Sequence, residues 1–415
     1  MKILQINAVY AKSSTGRTTR EMHEWFLNHG VESYVAAPVL AGLDDRGYQI
    51  GGTIDHKVHA LMSRLSGKQA YFSTLPTRGL LRYMDMIVPD VVILRNLHSN
   101  YVNLPMLLKY LAKHHIATVL VLHDSWFITG GCTYYIAPGC SRWLEKCGKC
   151  PALKGDICSY FLDRTSAVLR DREKYFDRLR PLSIIGVSQW VADDAGRSVL
   201  KNANFIKCIY NWIDLKTFRP KDRGMLKEKY GFAKDKFIVL GVSAGWSPAK
   251  GINLFHKLAD RLPDQMQVVL VGNSDTVTDK RDNIVYLPAT NNLEQLADMY
   301  AMADVFVNPT IQETFGKTTA EALSCGTPVV AYNGTATPEL VGTDGKCGYL
   351  IHDLDADRFA GKILDIFSDG VERYTSNCRN RAESMFDMET NLQEYMELFK
   401  EMLDLTVAAS SALQM

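Results

Sequence analysis

The chain has 415 residues, of which 47% are apolar and 22% charged, and its formal net charge is +1. That length exceeds what one hydrophobic core holds and implies two domains, while the composition is globular and excludes a disordered or collagenous chain. No apolar run approaches the about 20 residues of a membrane span.

The small net charge conceals an asymmetry. Through Leu215 there are 26 Lys and Arg against 18 Asp and Glu, a balance of +8; beyond it 21 stand against 28, a balance of −7. A basic half attracts an anionic acceptor, a phospholipid surface or nucleic acid. The positive charges are scattered and no nucleic-acid module is recognisable, so nucleic acid is not an expected partner.

The first segment, Met1-Lys-Ile-Leu-Gln-Ile-Asn7, enters an apolar strand expected over 3–9 and shows no signal-peptide pattern, so the cytoplasm is the expected compartment. Ala11-Lys-Ser-Ser-Thr-Gly16-Arg17-Thr18 follows it. A phosphate-binding P-loop would need Gly at position 11 and Lys at position 17, and both are absent. Over 61–86, Arg64, Lys68, Arg78 and Arg82 stand among Leu, Met, Tyr and Phe. This stretch reads either as a peripheral membrane contact or as a solvated helix pair. Strands are expected next at 91–94 and 118–122, and each is followed by a histidine, His98 and His123-Asp124. Each histidine is open between a structural and a ligand-facing role.

Cys132, Cys140, Cys147 and Cys150 then form a C-x7-C-x6-C-x2-C cluster, with Cys158 just beyond. Thiolates are tetrahedral zinc ligands, and the C-x2-C end has ligand spacing. Structural zinc and free thiols both stay open, whereas stable disulfides are not expected in a reducing compartment. Strands at 183–187 and 205–210 complete the half, and turn and charge signals over 218–224 mark a linker.

A second series of strands is expected at 237–242, 267–271, 284–287, 305–308 and 329–332, with helical patterns between. Continuous Val/Ile/Leu runs imply strands covered on both faces, and alternation with helices implies parallel doubly wound sheets. Lys250, in Gly245-Trp-Ser-Pro-Ala-Lys-Gly251, places a cation after the first of these strands. A solvated loop lysine is the alternative. Glu313 and Glu321 bracket Glu313-Thr-Phe-Gly-Lys-Thr-Thr-Ala-Glu321, where an apolar strand gives way to a helix. Ligands gather beyond the carboxyl ends of parallel strands. A helix start there offers N–H groups to phosphate, and carboxylates accept hydrogen bonds from sugar hydroxyls. The pattern suits a nucleotide-sugar. In the competing reading, Thr318-Thr-Ala-Glu321 is a capping box and Glu313 an ordinary loop acid. Asp353-Leu-Asp-Ala-Asp357 reads as a helix-start cap.

The Glu-x7-Glu run, followed by Gly326-Thr-Pro328 and the strand Val329-Val-Ala-Tyr332, resembles the retaining GT-B glycosyltransferases of family 4. The insertion at about 124–160 contains His123-Asp-Ser-Trp126, Thr129-Gly-Gly-Cys132, Gly139-Cys140, Trp143 and Cys147-Gly-Lys-Cys-Pro151. It resembles the bacterial exopolysaccharide branch of that family, including the colanic-acid glycosyltransferases. The resemblance implies an α/β GT-B fold with two Rossmann-like domains facing a central cleft. Residues 1–214 would form the acceptor domain, 215–387 the donor domain, and 388–415 a helix crossing back to the first.

The resemblance also assigns roles. Glu313 faces the transferred sugar and Glu321 holds the ribose. Backbone amides around Phe315, Gly316 and Lys317, with Thr318 beside them, meet the diphosphate, as does Gly16 of the first loop. His123 lies close to the donor sugar and faces the acceptor, and His98 is a second acceptor-side candidate. Lys250 matches a Lys-Gly pair that binds the diphosphate, but the Arg expected before it is absent and Trp246 stands near its place. Glu313, His123 and Lys250 are thus the expected catalytic residues, with no metal or other cofactor required for catalysis. The implied activity is transfer of a hexose from a nucleoside-diphosphate sugar to a glycan or polyprenyl-linked glycan, at the inner face of the plasma membrane if the contact over 61–86 holds. A UDP-sugar epimerase, a glycan phosphorylase and a non-catalytic nucleotide-sugar binding protein remain the other readings.

Overall fold

The computed structural model describes residues 1–40, 42, 43 and 45–412, with side chains through 406. The chain forms two compact units, one of Met1–Ile209 with the residues from Thr390 onward, the other of Tyr210–Glu389.

Among the described residues, the first unit is built on a seven-stranded parallel sheet: β1 Lys2–Ile6, β2 Glu32–Ala37, β3 Gly47–Gln49, β4 Val91–Leu94, β5 Ala117–Leu122, β6 Leu182–Gly186 and β7 Phe205–Cys208, in the order β3-β2-β1-β4-β5-β6-β7. The second has six parallel strands: β8 Phe237–Gly245, β9 Met266–Asn273, β10 Ile284–Leu287, β11 Val305–Asn308, β12 Val329–Tyr332 and β13 Gly348–Ile351, in the order β10-β9-β8-β11-β12-β13. The apolar runs dictate this. Every residue of β4 and β5 is buried, as only a strand covered on both faces can be. In each sheet the order reverses direction once, between β1 and β4 and between β8 and β11. These are the switch points at which a crevice opens beyond the strand ends.

The strands expected at 91–94, 284–287, 305–308 and 329–332 are found at those bounds. The pattern did not reveal β2, β3 and β13. The run Glu32-Ser-Tyr-Val-Ala-Ala opens polar, and β3 and β13 are short edge strands that begin on glycine.

The division falls at 209/210 rather than the expected 214/215, because Tyr210 and Ile213 are tied into the second unit. Tyr210 Oη donates to Glu339 at 3.0 Å and Ile213 N to Phe386 O at 3.0 Å. The last helix, Met388–Ala412, contributes buried Leu392, Tyr395, Leu398, Phe399 and Met402. Its Phe399 ring lies 6.1 Å from Phe26, and its Glu401 pairs with Lys207 at 3.0 Å, both within the first unit. No helix of the described residues is long and apolar enough to cross a membrane.

Candidate functional site

A cavity of about 240 Å³ opens at the switch point of the second unit, lined among others by Lys250, Asn308, Thr310, Glu313, Lys317 and Thr318. Strand β8 leads into it. Its first five residues are buried, a register shift against β9 follows between Val242 and Gly245, and Ala244 and Gly245 emerge exposed. The chain then makes a single 3-10 turn, Pro248–Lys250, closed by Gly251 in the left-handed region at φ 79°. A β-carbon at Gly251 would collide with Pro309, so the glycine lets Lys250 approach the end of β11.

Glu313 is held from behind. Its N–H donates to Thr335 Oγ1 at 2.9 Å, and its carbonyl accepts from Ala336 N at 3.3 Å. The residue is half-buried, but its carboxyl group is enclosed. Burial raises its pKa above the ordinary carboxylate value, against the opposing pull of Lys250 and of hydrogen bonds from Asn308 and Thr310. Such a group suits a ligand that brings hydroxyl donors rather than bulk water. Asn308 is itself fixed, donating from Nδ2 to Thr319 Oγ1 at 3.1 Å and accepting from Thr310 N at 3.1 Å. Asn308 and Thr310 carried no motif in the sequence; their only signal was their place at the end of a strand.

The following helix is Lys317–Ser324, with Gly316 as N-cap at φ 90°. The first-turn N–H groups of Lys317 and Thr318 therefore belong to residues that line the cavity, where a helix start favours an anion. Thr318 lies inside the helix, so the capping-box alternative for Thr318-Thr-Ala-Glu321 does not describe this turn. Glu321 is buried and accepts from Tyr300 Oη at 3.0 Å, and Phe315 packs its ring edge-on against Phe386 at 5.5 Å. Neither side chain lines the cavity.

In the first unit, Arg95 follows β4 and is fully buried. Its Nη1 donates to Gln5 Oε1 at 3.2 Å and Thr19 Oγ1 at 2.9 Å, its Nη2 to Thr18 Oγ1 at 3.3 Å and its Nε to His123 Nε2 at 3.2 Å. A guanidinium can only donate, so Nε2 accepts and the His123 proton sits on Nδ1. Burial, then the Arg95 charge, holds His123 well below its ordinary 6.5. It is a neutral imidazole with its proton at Nδ1. Arg95 carried no motif, and its role appears only once the β1/β4 junction is assembled.

His98 Nε2 lies 3.0 Å from Asp124 Oδ2, and Asp124 Oδ1 accepts from Trp126 N at 2.8 Å. His98 also lines a cavity of about 180 Å³ with Gln69, Asn100, Thr133 and Asp156. Gly16 sits in the first turn of the helix Ser13–Asn28, where its carbonyl accepts from Ala11 N at 2.9 Å. A β-carbon there would press on Val9 at 3.0 Å, so close backbone packing accounts for the glycine.

Cys132, Cys140, Cys147 and Cys150 line one small cavity of about 20 Å³. Burial, with neighbouring thiols adding to it, pushes Cys132 up to about 12 and Cys147 up to about 11. Among the described residues no three of His, Cys, Asp and Glu converge closely enough to hold a metal ion as they stand.

Residues 222–385 match the family model described as glycosyl transferases group 1. The D-inositol 3-phosphate glycosyltransferase of Mycolicibacterium gilvum is 28% identical over 45% of this chain and 48% of its own length; the chain spans about half the length of the curated relatives it matches first. WcaC of Escherichia coli K12, a glycosyl transferase assigned to colanic acid biosynthesis, is 23% identical over 83% of this chain and 86% of its own. Among solved structures, the HepE protein of Anabaena, in complex with UDP and with UDP-glucose, aligns over 97% of this chain and 100% of its own at 18% identity, with TM-scores of 0.65 and 0.63. The two Rossmann-like units are those of the GT-B fold.

Proposed function

We propose that this chain is a group 1 glycosyltransferase and a retaining enzyme. It would transfer a hexose from a nucleoside-diphosphate sugar to a hydroxyl of a glycan or lipid-linked glycan during assembly of a bacterial surface polysaccharide. The observation that carries this reading is the enclosed Glu313 carboxyl facing Lys250 at the β8/β11 switch point, inside the stretch that matches the family.

The chemistry follows from charge. As the bond between the anomeric carbon and the phosphate breaks, negative charge grows on the leaving diphosphate. Lys250, Lys317 and the first-turn amides of the helix Lys317–Ser324 stabilise it without a metal ion. Lys317 makes up for the absent arginine, whose place is taken by buried Trp246. Glu313 accepts hydrogen bonds from sugar hydroxyls and offsets positive charge at the anomeric carbon. The acceptor oxygen attacks from the face the diphosphate leaves, and its proton passes to the departing phosphate oxygen, so configuration is retained. In the first unit His123 donates its Nδ1 proton to a sugar oxygen, and the His98 cavity takes the acceptor, with Asp124 orienting His98.

An apolar stripe supports a membrane-bound acceptor. The helix Thr53–Ser66 exposes Ile54, Val58, Leu61, Met62 and Leu65, which lie on one helical face beside Lys57 and Arg64. Sedimentation with anionic liposomes at low and high salt tests the contact, and no binding at either removes it.

Screening nucleoside-diphosphate sugars by thermal shift, then assaying transfer from any that bind, tests the main reading. Glu313→Ala is expected to abolish transfer while the protein stays folded; full activity in that variant overturns the assignment. Product analysis separates the other chemistries, since an epimerase yields an isomerised sugar nucleotide and a phosphorylase consumes inorganic phosphate.

A further inference from the structure

Between β5 and the helix Thr165–Phe176 the chain forms a long loop whose regular structure is two single 3-10 turns, Trp126–Ile128 and Arg142–Leu144. A loop of this length inside a compact unit needs something to fix it. Four of its five cysteines, Cys132, Cys140, Cys147 and Cys150, meet at the cavity of about 20 Å³, room for one water-sized sphere. A water there requires several polar partners, and thiols are weak donors and acceptors. A soft cation matches the lining better.

Two further features point the same way. Cys150 is fixed at its backbone, where its N–H donates to Asp163 Oδ2 at 2.8 Å and holds the C-x2-C end of the cluster in place. Two arginines also attend the cluster. Arg142 lines the cavity and ties down the Cys147–Cys150 turn through Gly148 O at 2.9 Å and Lys149 O. Arg172 is fully buried, donates to Trp126 O and Thr129 O and stacks on Trp126 at 3.8 Å, while its Nε and Nη2 have no hydrogen-bond partner among the described residues. A buried cation left uncompensated is costly. Four thiolates on a divalent ion form a dianion, which adds to the opposite charge that Asp124 brings near Arg172.

We propose that Cys132, Cys140, Cys147 and Cys150 hold a structural zinc ion, and that this ion fixes the loop whose Thr133 and Asp156 wall the His98 cavity. The four residues line one cavity without standing at bonding distance, so binding requires their sulfurs to close in to the about 2.3 Å of a zinc–thiolate bond. Binding releases the four thiol protons to solvent. The site lies outside the glycosyltransferase reading, and its metal content stands or falls separately from donor binding in the second unit.

Metal analysis of the purified full-length protein is expected to give one zinc per chain. Zinc should be lost from Cys147→Ser/Cys150→Ser and kept in Cys208→Ser. Because the double variant can fail to fold, the wild-type protein carries the decisive measurement. Stripped by a chelator and refilled with cobalt(II), it should show thiolate-to-cobalt charge-transfer bands. While stripped, it should become sensitive to proteolysis within 133–160, and zinc should reverse this. Absence of both stoichiometric zinc and the cobalt bands, iron in zinc's place, or zinc retained by a folded double variant overturns the site. Unchanged protease resistance after stripping overturns its role in fixing the loop.

Discussion

Glu313 and His123 show how burial tunes single groups in opposite directions to one end: each is driven toward its neutral form, Glu313 upward and His123 downward. His59 shows the same effect where no ligand is involved, and its consequence is measurable. Its Nδ1 accepts from Ser73 N at 3.2 Å and lies 2.6 Å from Ser73 Oγ, and burial, with His56 adding to it, lowers its pKa from 6.5 to about 4. The folded protein therefore resists a proton that the unfolded chain accepts. This contribution to stability is complete above 6.5 and is lost as pH falls toward about 4, up to a magnitude on the order of 3 kcal/mol. Denaturant unfolding at about pH 7 and about pH 5 should show the decline, and His59→Gln should flatten it between those values. An identical decline in the variant would show that His59 contributes nothing to it.

At the level of elements, the strand-turn-helix run from β11 to Ser324 and the loop after β8 were legible in the chain, because apolar runs, glycines and charges recur there at fixed offsets. What joins them was not. That β8 and β11 are neighbours depends on the sheet order 10-9-8-11-12-13, and no local pattern encodes a crossover. For the same reason Lys250 and Glu313 were separate candidates until the sheet brought them to one cavity. Arg95 was invisible as the clamp on His123, since its partners Gln5, Thr18 and Thr19 come from elements far away in sequence. Glu321 and Phe315 are buried and are not in the cavity's lining, which burial decides and spacing does not. Gly251 tests the junction directly. Gly251→Ala places a methyl group against Pro309 at φ 79°, so it should cost about 1–3 kcal/mol and move Lys250. Equilibrium unfolding together with donor affinity checks this; a variant as stable and as tight-binding as the wild type would contradict the role given to that turn.

Over the whole molecule, the last helix belongs to the unit built by the first half of the chain. Leu392, Tyr395, Leu398, Phe399 and Met402 are buried on it. At about 2 kcal/mol for each large side chain, their burial is worth on the order of 10 kcal/mol, comparable to the entire stability of a domain. Ending the chain after Glu389 should leave the first unit open to protease while residues 210–389 stay protected. Equal protection of both units would mean that the helix is dispensable.

The claim that an activated sugar donor sits at the β8/β11 switch point is tested most directly by calorimetric titration of nucleoside-diphosphate sugars into the full-length protein and into Lys250→Ala. At least one donor should bind the wild type at one site per chain. Loss of a charged hydrogen bond to its diphosphate should weaken that binding about 10- to 100-fold in the variant. Binding of no donor, or equal affinity in both proteins, would contradict it.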